Sequence, residues 1–328
     1  MQPFNYRQIS SLKEASSLVE PHSSFIAGGT CLVDLMKLEV ATPKELIDLG
    51  KINESTLKEI ATTNSGIVIG SLVSNSDCAH SQLIEKEFPL ISQSILSGAS
   101  AQLRNMATIG GNLMQKTRCN YFRDTASPCN KREQGTGCPA IKGFNRGHAI
   151  LGTSDACISV HPSDLCVALA ALDATINIAG SQGKRSIKIN DFYLLPGNAP
   201  HKETQLKPDE IIESISLEKN NFQKNSYYLK VRDRASYAFA LVSVACGLEL
   251  SGKNIKQARL ALGGVAPKPW RANEAEAYLQ GQELNEKTMA KAAEIALADA
   301  KPSKHNGFKV ALAKRSIVRA LEQAGGLR

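Results

Sequence analysis

The sequence predicts an α+β protein in two domains, residues 1–221 and 222–328. Three observations point that way. The stretch 23–50, SSFIAGGTCLVDLMKLEVATPKELIDLG, runs strand, glycine turn, amphipathic helix, strand, a βαβ unit that requires parallel pairing. Past LEKNNFQKNS at 217–226 the texture changes to strand-like runs followed by amphipathic helices that stop at glycine. A chain of 328 residues with 42% hydrophobic content also exceeds what one core usually holds, and neither a repeat of fixed period nor a low-complexity linker offers another organisation.

The elements follow in order. GIVIGSLVS at 66–74 reads as a strand, and DCAHSQLIEKEF at 77–88 and LISQSILSGA at 90–99 carry helical periodicity. They lead into a second glycine turn, TIGGN at 108–112. After a polar, cysteine-bearing segment, DACISVHPSDLCVALAALDATINIAG at 155–180 resumes as strand, helix, strand. In the C-terminal part FALVSVACGLEL and QARLALGGVAP form strands, and NEAEAYLQG, EKTMAKAAEIALADA and GFKVALAKRSIVRALEQAG form helices. Gly263 and Gly264 read as a plain chain turn.

Charge and targeting narrow the function classes. The formal charge of +8 is spread along the chain without a run of like charges, which argues against nucleic-acid binding. Asp173 interrupts the richest apolar segment, so no membrane span is expected, and MQPFNYRQIS lacks the basic start and apolar stretch of a secretory signal. One local excess stands out. From Lys116 to His148 there are seven Lys/Arg (116, 118, 123, 131, 132, 142, 146) against Asp124 and Glu133.

The first glycine turn, FIAGGTCLVDLM, lets the backbone N–H groups of Gly29, Thr30, Cys31 and Leu32 point at one anion at a helix start. It matches neither the G-x-G-x-x-G dinucleotide fingerprint nor a Walker loop. The TIGGN turn offers a second such site, and the two could close on a pyrophosphate from both sides.

Cysteines divide by context. Cys31, Cys166 and Cys246 lie in apolar runs and read as small hydrophobes, and Cys78 as structural. Cys119, Cys129, Cys138 and Cys157 instead fall in a polar segment with spacing C-x9-C-x8-C-x18-C. A segment that long without amphipathic pattern needs a staple. Two disulfides, a structural zinc ion or an iron–sulfur cluster would each serve, although zinc usually comes with close Cys pairs. An oxidised cubane on four thiolates has a net charge of about −2, and the local basic excess suits it. Gly135 and Gly137 would let backbone N–H groups approach the sulfurs, and His148 and His161 are reserve ligands.

Five ordered motifs covering nearly the whole chain resemble the FAD-binding medium subunit of the xanthine dehydrogenase and molybdenum hydroxylase family. They are AGGT-x-L-x-x-x-M-K at 27–37, LRNMATIGGNL at 103–113, HPSDLCVALAALDA at 161–174, LKVRDRASYAFALVSVA at 229–245 and LALGGVAPKPWRANEAE at 260–276. The resemblance implies a two-part FAD-binding domain of the vanillyl-alcohol-oxidase-like type and a C-terminal α/β domain like that of the carbon monoxide dehydrogenase flavoprotein. It places Ile26, Ala27, Gly28, Gly29, Thr30, Cys31 and Leu32 with Thr108, Gly110, Gly111 and Asn112 around the FAD pyrophosphate and ribityl chain. Asp164 would accept hydrogen bonds from the ribityl or flavin region, and Lys230 would lie near the isoalloxazine and stabilise its reduced, anionic form.

Asn112 and Asp164 are 52 positions apart, against roughly a dozen in most of that family, so an insertion of about 40 residues lies at about 116–157. Its wording is similar to the branch of bacterial periplasmic aldehyde oxidoreductases, whose FAD subunit carries a 4Fe-4S cluster there. The resemblance makes Cys119, Cys129, Cys138 and Cys157 the ligand set. It also implies a heterotrimer with a large molybdopterin subunit and a small 2Fe-2S subunit, an external electron acceptor, and periplasmic residence by co-export with a signal-bearing partner, the cytoplasm being the alternative. A 4-hydroxybenzoyl-CoA reductase-type β subunit, a free-standing flavin oxidoreductase and a zinc-stapled scaffold are the rival readings.

Overall fold

In the computed structural model, which describes residues 1–327, three sheets share the work. The N-terminal sheet is parallel, in the order β1–β3–β2, from β1 (Asn5–Gln8), β2 (Ser23–Ile26) and β3 (Glu45–Asp48). The expected βαβ unit forms, with helix Leu32–Lys37 as its crossover. β1 was not foreseen: NYRQ is polar and exposed along its length, so neither alternation nor burial marks it.

The second sheet is antiparallel, in the order β4–β5–β8–β6–β7, from β4 (Ile60–Thr62), β5 (Gly66–Gly70), β6 (Thr175–Gly180), β7 (Gly183–Lys188) and β8 (Ile211–Glu218). Ile67, Ile69, Ile176 and Ile215 pack there against helices Pro89–Leu96 and Asp164–Ala171. The pattern at 77–88 splits into helices Asn75–Ala79 and Gln82–Glu87, because Ser81 is extended.

The third sheet is also antiparallel, in the order β12–β11–β10–β9, from β9 (Ser226–Val231), β10 (Val242–Ser251), β11 (Asn254–Gly263) and β12 (Trp270–Arg271). Alternation along β10 covers both faces. Val244, Cys246 and Leu248 meet the C-terminal helices Glu286–Ala296 and Phe308–Ala324, while Ala245 joins the core around helix Asp164–Ala171. That helix is buried from Leu165 to Ala171, and its alanines let sheets approach from two sides. Its N-terminus is thereby fixed.

One expected strand is absent. DACISV, 155–160, makes only an isolated bridge between Ser154 and Cys157, because its backbone is engaged elsewhere: Ile158 O accepts from Ala149 N, and His161 N donates to Ala266 O. Cys157, Ile158 and Ser159 are buried all the same, without a sheet partner.

Candidate functional site

The two glycine turns meet. A Cβ on Gly28 would fall 1.7 Å from Met106 O, so only glycine lets the first turn lie against the segment that opens the second. Gly29 follows at φ +70° and turns the chain into the helix. The N–H groups of Gly29, Thr30, Cys31 and Leu32 have no hydrogen-bond partner among the described residues, as an anion cradle requires. The second turn differs from expectation. Ile109 N donates to Val73 O, Gly110 N to Ser71 O and Asn112 N to Thr108 O, while Thr108 Oγ1 caps Gly111 N. The first two bonds hold the turn to the segment after β5 and the other two close the turn on itself, while Asn112 Oδ1 accepts from Gln115 and Ser163.

In front of the turns lies a cleft of about 560 Å³. Thr30, Cys31, Gly111, Asn112, Asp164 and Lys230 line it; Ile26, Ala27, Gly28, Gly29, Leu32, Thr108 and Gly110 do not, and belong to its frame. Cys31 is therefore not a core thiol, whereas Cys78, Cys166 and Cys246 are fully buried. Lys230 Nζ donates to Asp164 Oδ2 at 2.7 Å and Tyr228 OH to Oδ1 at 2.7 Å. Asp164 is thus already occupied as an acceptor, on the wall of the cleft and held by β9.

Sequence reasoning missed another part of the lining. Asp34 receives Arg118 at 2.8 Å and Arg123 at 2.6 Å. Burial would raise the Asp34 carboxyl, but these guanidinium groups outweigh it and hold it low. Arg104 Nε, Arg118 Nε and Arg123 Nη1 are buried without partners and line the same cleft with apolar Ile95, Leu103 and Phe239. Bare amides, unpaired guanidinium donors and apolar walls fit a pyrophosphate joined to aromatic rings.

Beside it, Cys119, Cys129, Cys138 and Cys157 line one small cavity with Phe122, Pro128, Pro139, Ala140 and Lys131. All four are free thiols in this structure. Burial pushes Cys119 up to about 11 and raises Cys138, and the neighbouring sulfurs add to it: Cys129 and Cys157 act on Cys119, and Cys157 on Cys138. Among the described residues no three His, Cys, Asp or Glu side chains gather as ligands of a single metal ion would. The four cysteines share only the lining of one cavity. His148 lines this cavity, but His161 lines a different, slightly larger one.

Two expectations for the loop are corrected. The N–H groups of Gly135 and Gly137, both at positive φ, donate to Asn130 Oδ1 at 3.1 and 2.8 Å and do not turn to the sulfurs. The basic excess is mostly committed to partners. Lys116 and Lys131 pair with Glu203, Arg118 and Arg123 with Asp34, Arg146 with Asp233, and Arg132 donates to the carbonyls of Tyr121 and Phe122. Those pairs fasten the loop to the rest of the fold. Arg118, next in sequence to Cys119, is at once a wall of the larger cleft.

Such a cleft marks a protein that binds a dinucleotide cofactor, and comparison with known proteins narrows the class. Residues 2–218 match the family described as FAD binding domain in molybdopterin dehydrogenase, and 227–324 match the CO dehydrogenase flavoprotein C-terminal domain. The chain belongs to the FAD-binding medium subunits of the molybdenum hydroxylase family, oxidoreductase subunits of the aldehyde oxidoreductase and CO dehydrogenase type. It is 46% identical to the aldehyde oxidoreductase FAD-binding subunit PaoB of Escherichia coli, over 99% of both chains. It is 28% identical to the glyceraldehyde dehydrogenase medium chain of Sulfolobus acidocaldarius, over 97% of this chain and 95% of that one. Among solved structures, carbon monoxide dehydrogenase from Hydrogenophaga pseudoflava superposes with a TM-score of 0.78 at 25% identity, covering 99% of this chain and 98% of that one.

Proposed function

We propose that this chain is the FAD- and 4Fe-4S-containing electron-transfer subunit of an aldehyde-oxidising molybdenum hydroxylase. The carrying observation is that the four loop cysteines line one cavity whose backbone continues, through Arg118, into the flavin cleft. Free thiols and apolar walls in one cavity support an iron–sulfur centre, and a spacing without close Cys pairs speaks against zinc. FAD supplies the exchange of one or two electrons at a time. The chain's own residues hold and orient it. Thr30 and Cys31 offer amide donors to the pyrophosphate, Arg118 and Arg123 add cationic donors, and the Lys230–Asp164 pair faces the polar edge of the ring system or its ribityl chain.

In this reading a large molybdopterin subunit oxidises the substrate, a small 2Fe-2S subunit relays electrons, and this chain delivers them to an external acceptor. The likeness to PaoB over the full length supports an aldehyde as substrate. The complex resides in the periplasm, exported beside a partner that bears the signal. No helix of the described residues is long and apolar enough to cross a membrane.

The test is metal and spectral analysis of the complex purified without oxygen. Iron and sulfide that fall by about four per chain when any one of the four cysteines is replaced by alanine, with FAD retained, support the reading. Zinc in place of iron, or iron unchanged in all four variants, overturns it. Fractionation of the producing cells tests the compartment.

A further inference from the structure

We propose that His148 donates a hydrogen bond from Nε2 to the sulfur of Cys119 and so sets the reduction potential of the centre in the cysteine cavity. The inference rests on the cluster reading above. His148 Nε2 lies 3.2 Å from Cys119 Sγ, and the ring lines the same cavity as all four thiols. Nδ1 is buried and has no partner. An N–H on the ring therefore has one acceptor in reach, the sulfur, which selects the Nε2–H tautomer and leaves a lone pair on Nδ1.

The ring is held in place by its backbone. His148 N donates to Asn145 O at 3.0 Å, and His148 O accepts from Lys309 Nζ at 3.0 Å and Asn306 Nδ2 at 3.2 Å. Lys309 is wholly buried in the C-terminal helix Phe308–Ala324, so the C-terminal domain fixes the imidazole. Hydrogen bonds to ligand sulfurs draw electron density from an iron–sulfur centre and favour its reduced, more negative state. His148 is accordingly a positioning and tuning residue, not a ligand.

The experiment compares the whole complex carrying wild-type His148, His148→Phe or His148→Gln, with iron and sulfide counted and the midpoint potential followed by EPR. Full iron in all three is expected. In His148→Phe the reduced-to-oxidised ratio at a fixed potential should fall about tenfold, equivalent to about 59 mV for one electron. His148→Gln, whose amide also donates, should recover most of it. A measurement on the wild type needs no variant to fold: with ¹⁵N-labelled histidine, pulsed EPR should show weak coupling to one ring nitrogen and to an exchangeable proton.

Full iron with an unchanged potential in His148→Phe overturns this inference alone. So does strong nitrogen coupling, which assigns ligation, or none, which removes the contact. A wild-type complex with no iron in this chain overturns the cluster reading and this inference together.

Discussion

Lys230 and Asp164 form a buried ion pair, 2.7 Å between Nζ and Oδ2, that joins the edge strand of the C-terminal sheet to the first turn of the central helix. Their side chains are 4% and 10% exposed. Removing one partner leaves a desolvated charge, so Lys230→Met should cost about 3–5 kcal/mol of stability and most of the bound flavin. A Lys230→Met/Asp164→Leu double variant should regain much of the stability without regaining the flavin. Thermal unfolding and FAD content, measured on both, separate the structural part of the pair from its ligand-facing part.

Gly28 is expected to be irreplaceable. An alanine Cβ would collide with backbone at Met106, and backbone cannot move aside as a flexible side chain can. Gly28→Ala should therefore part the two turns and abolish FAD binding. Gly307→Ala is the control, since a Cβ there meets nothing within 4 Å and the backbone is already helical. Its stability should stay within about 0.5 kcal/mol of wild type.

Cysteine reactivity should sort by place in the fold. With any iron removed by acid and chelator, Cys31 on the cleft wall should be alkylated, and FAD should protect it. Cys78, Cys166 and Cys246 should resist until unfolding, because burial raises all three and Cys78 and Cys166 reach about 12. Peptide mapping after pulsed alkylation checks both outcomes. Labelling of Cys246 in the native protein would contradict the packing of β10.

Glu203 gives the fold an acid limit. Burial alone would raise its carboxyl, but Lys116 and Lys131 hold it down at about 2. A carboxyl depressed in the folded state contributes stability that is present above its unfolded value near 4.5 and lost as pH falls through 2. That difference amounts to about 3 kcal/mol at neutral pH. Wild type and Glu203→Gln should thus differ by about this much at pH 7 and converge on acidification, as denaturant unfolding at a series of pH values would show. A difference independent of pH would remove the ion pairs as its cause.

Much of this was legible in the sequence because it depends on local rules. The βαβ unit, the C-terminal helices and both glycine turns come from periodicity and punctuation, and the four loop cysteines stand out by their polar surroundings. Asp34, Arg104 and Arg123 escaped, since a charged residue on a short helix or a loop carries no mark of what it faces. The basic loop misled for a related reason. Composition records the charge of Lys116 and Lys131 but not that Glu203, more than 70 positions away, pairs with both. DACISV failed as a strand because burial in a loop and burial in a sheet leave the same apolar trace.

Lys309 donates to three carbonyls, those of Gly147, His148 and Gly264, and Asn306 beside it holds His148 and Ala149. The last of the loop cysteines, Cys157, leaves the ribosome 152 positions ahead of Lys309. The contacts that hold the segment at 147–149 therefore come from residues made when nearly the whole polypeptide has emerged. A product truncated before its final helix lacks the Lys309 ammonium that clamps Gly147, His148 and Gly264 together.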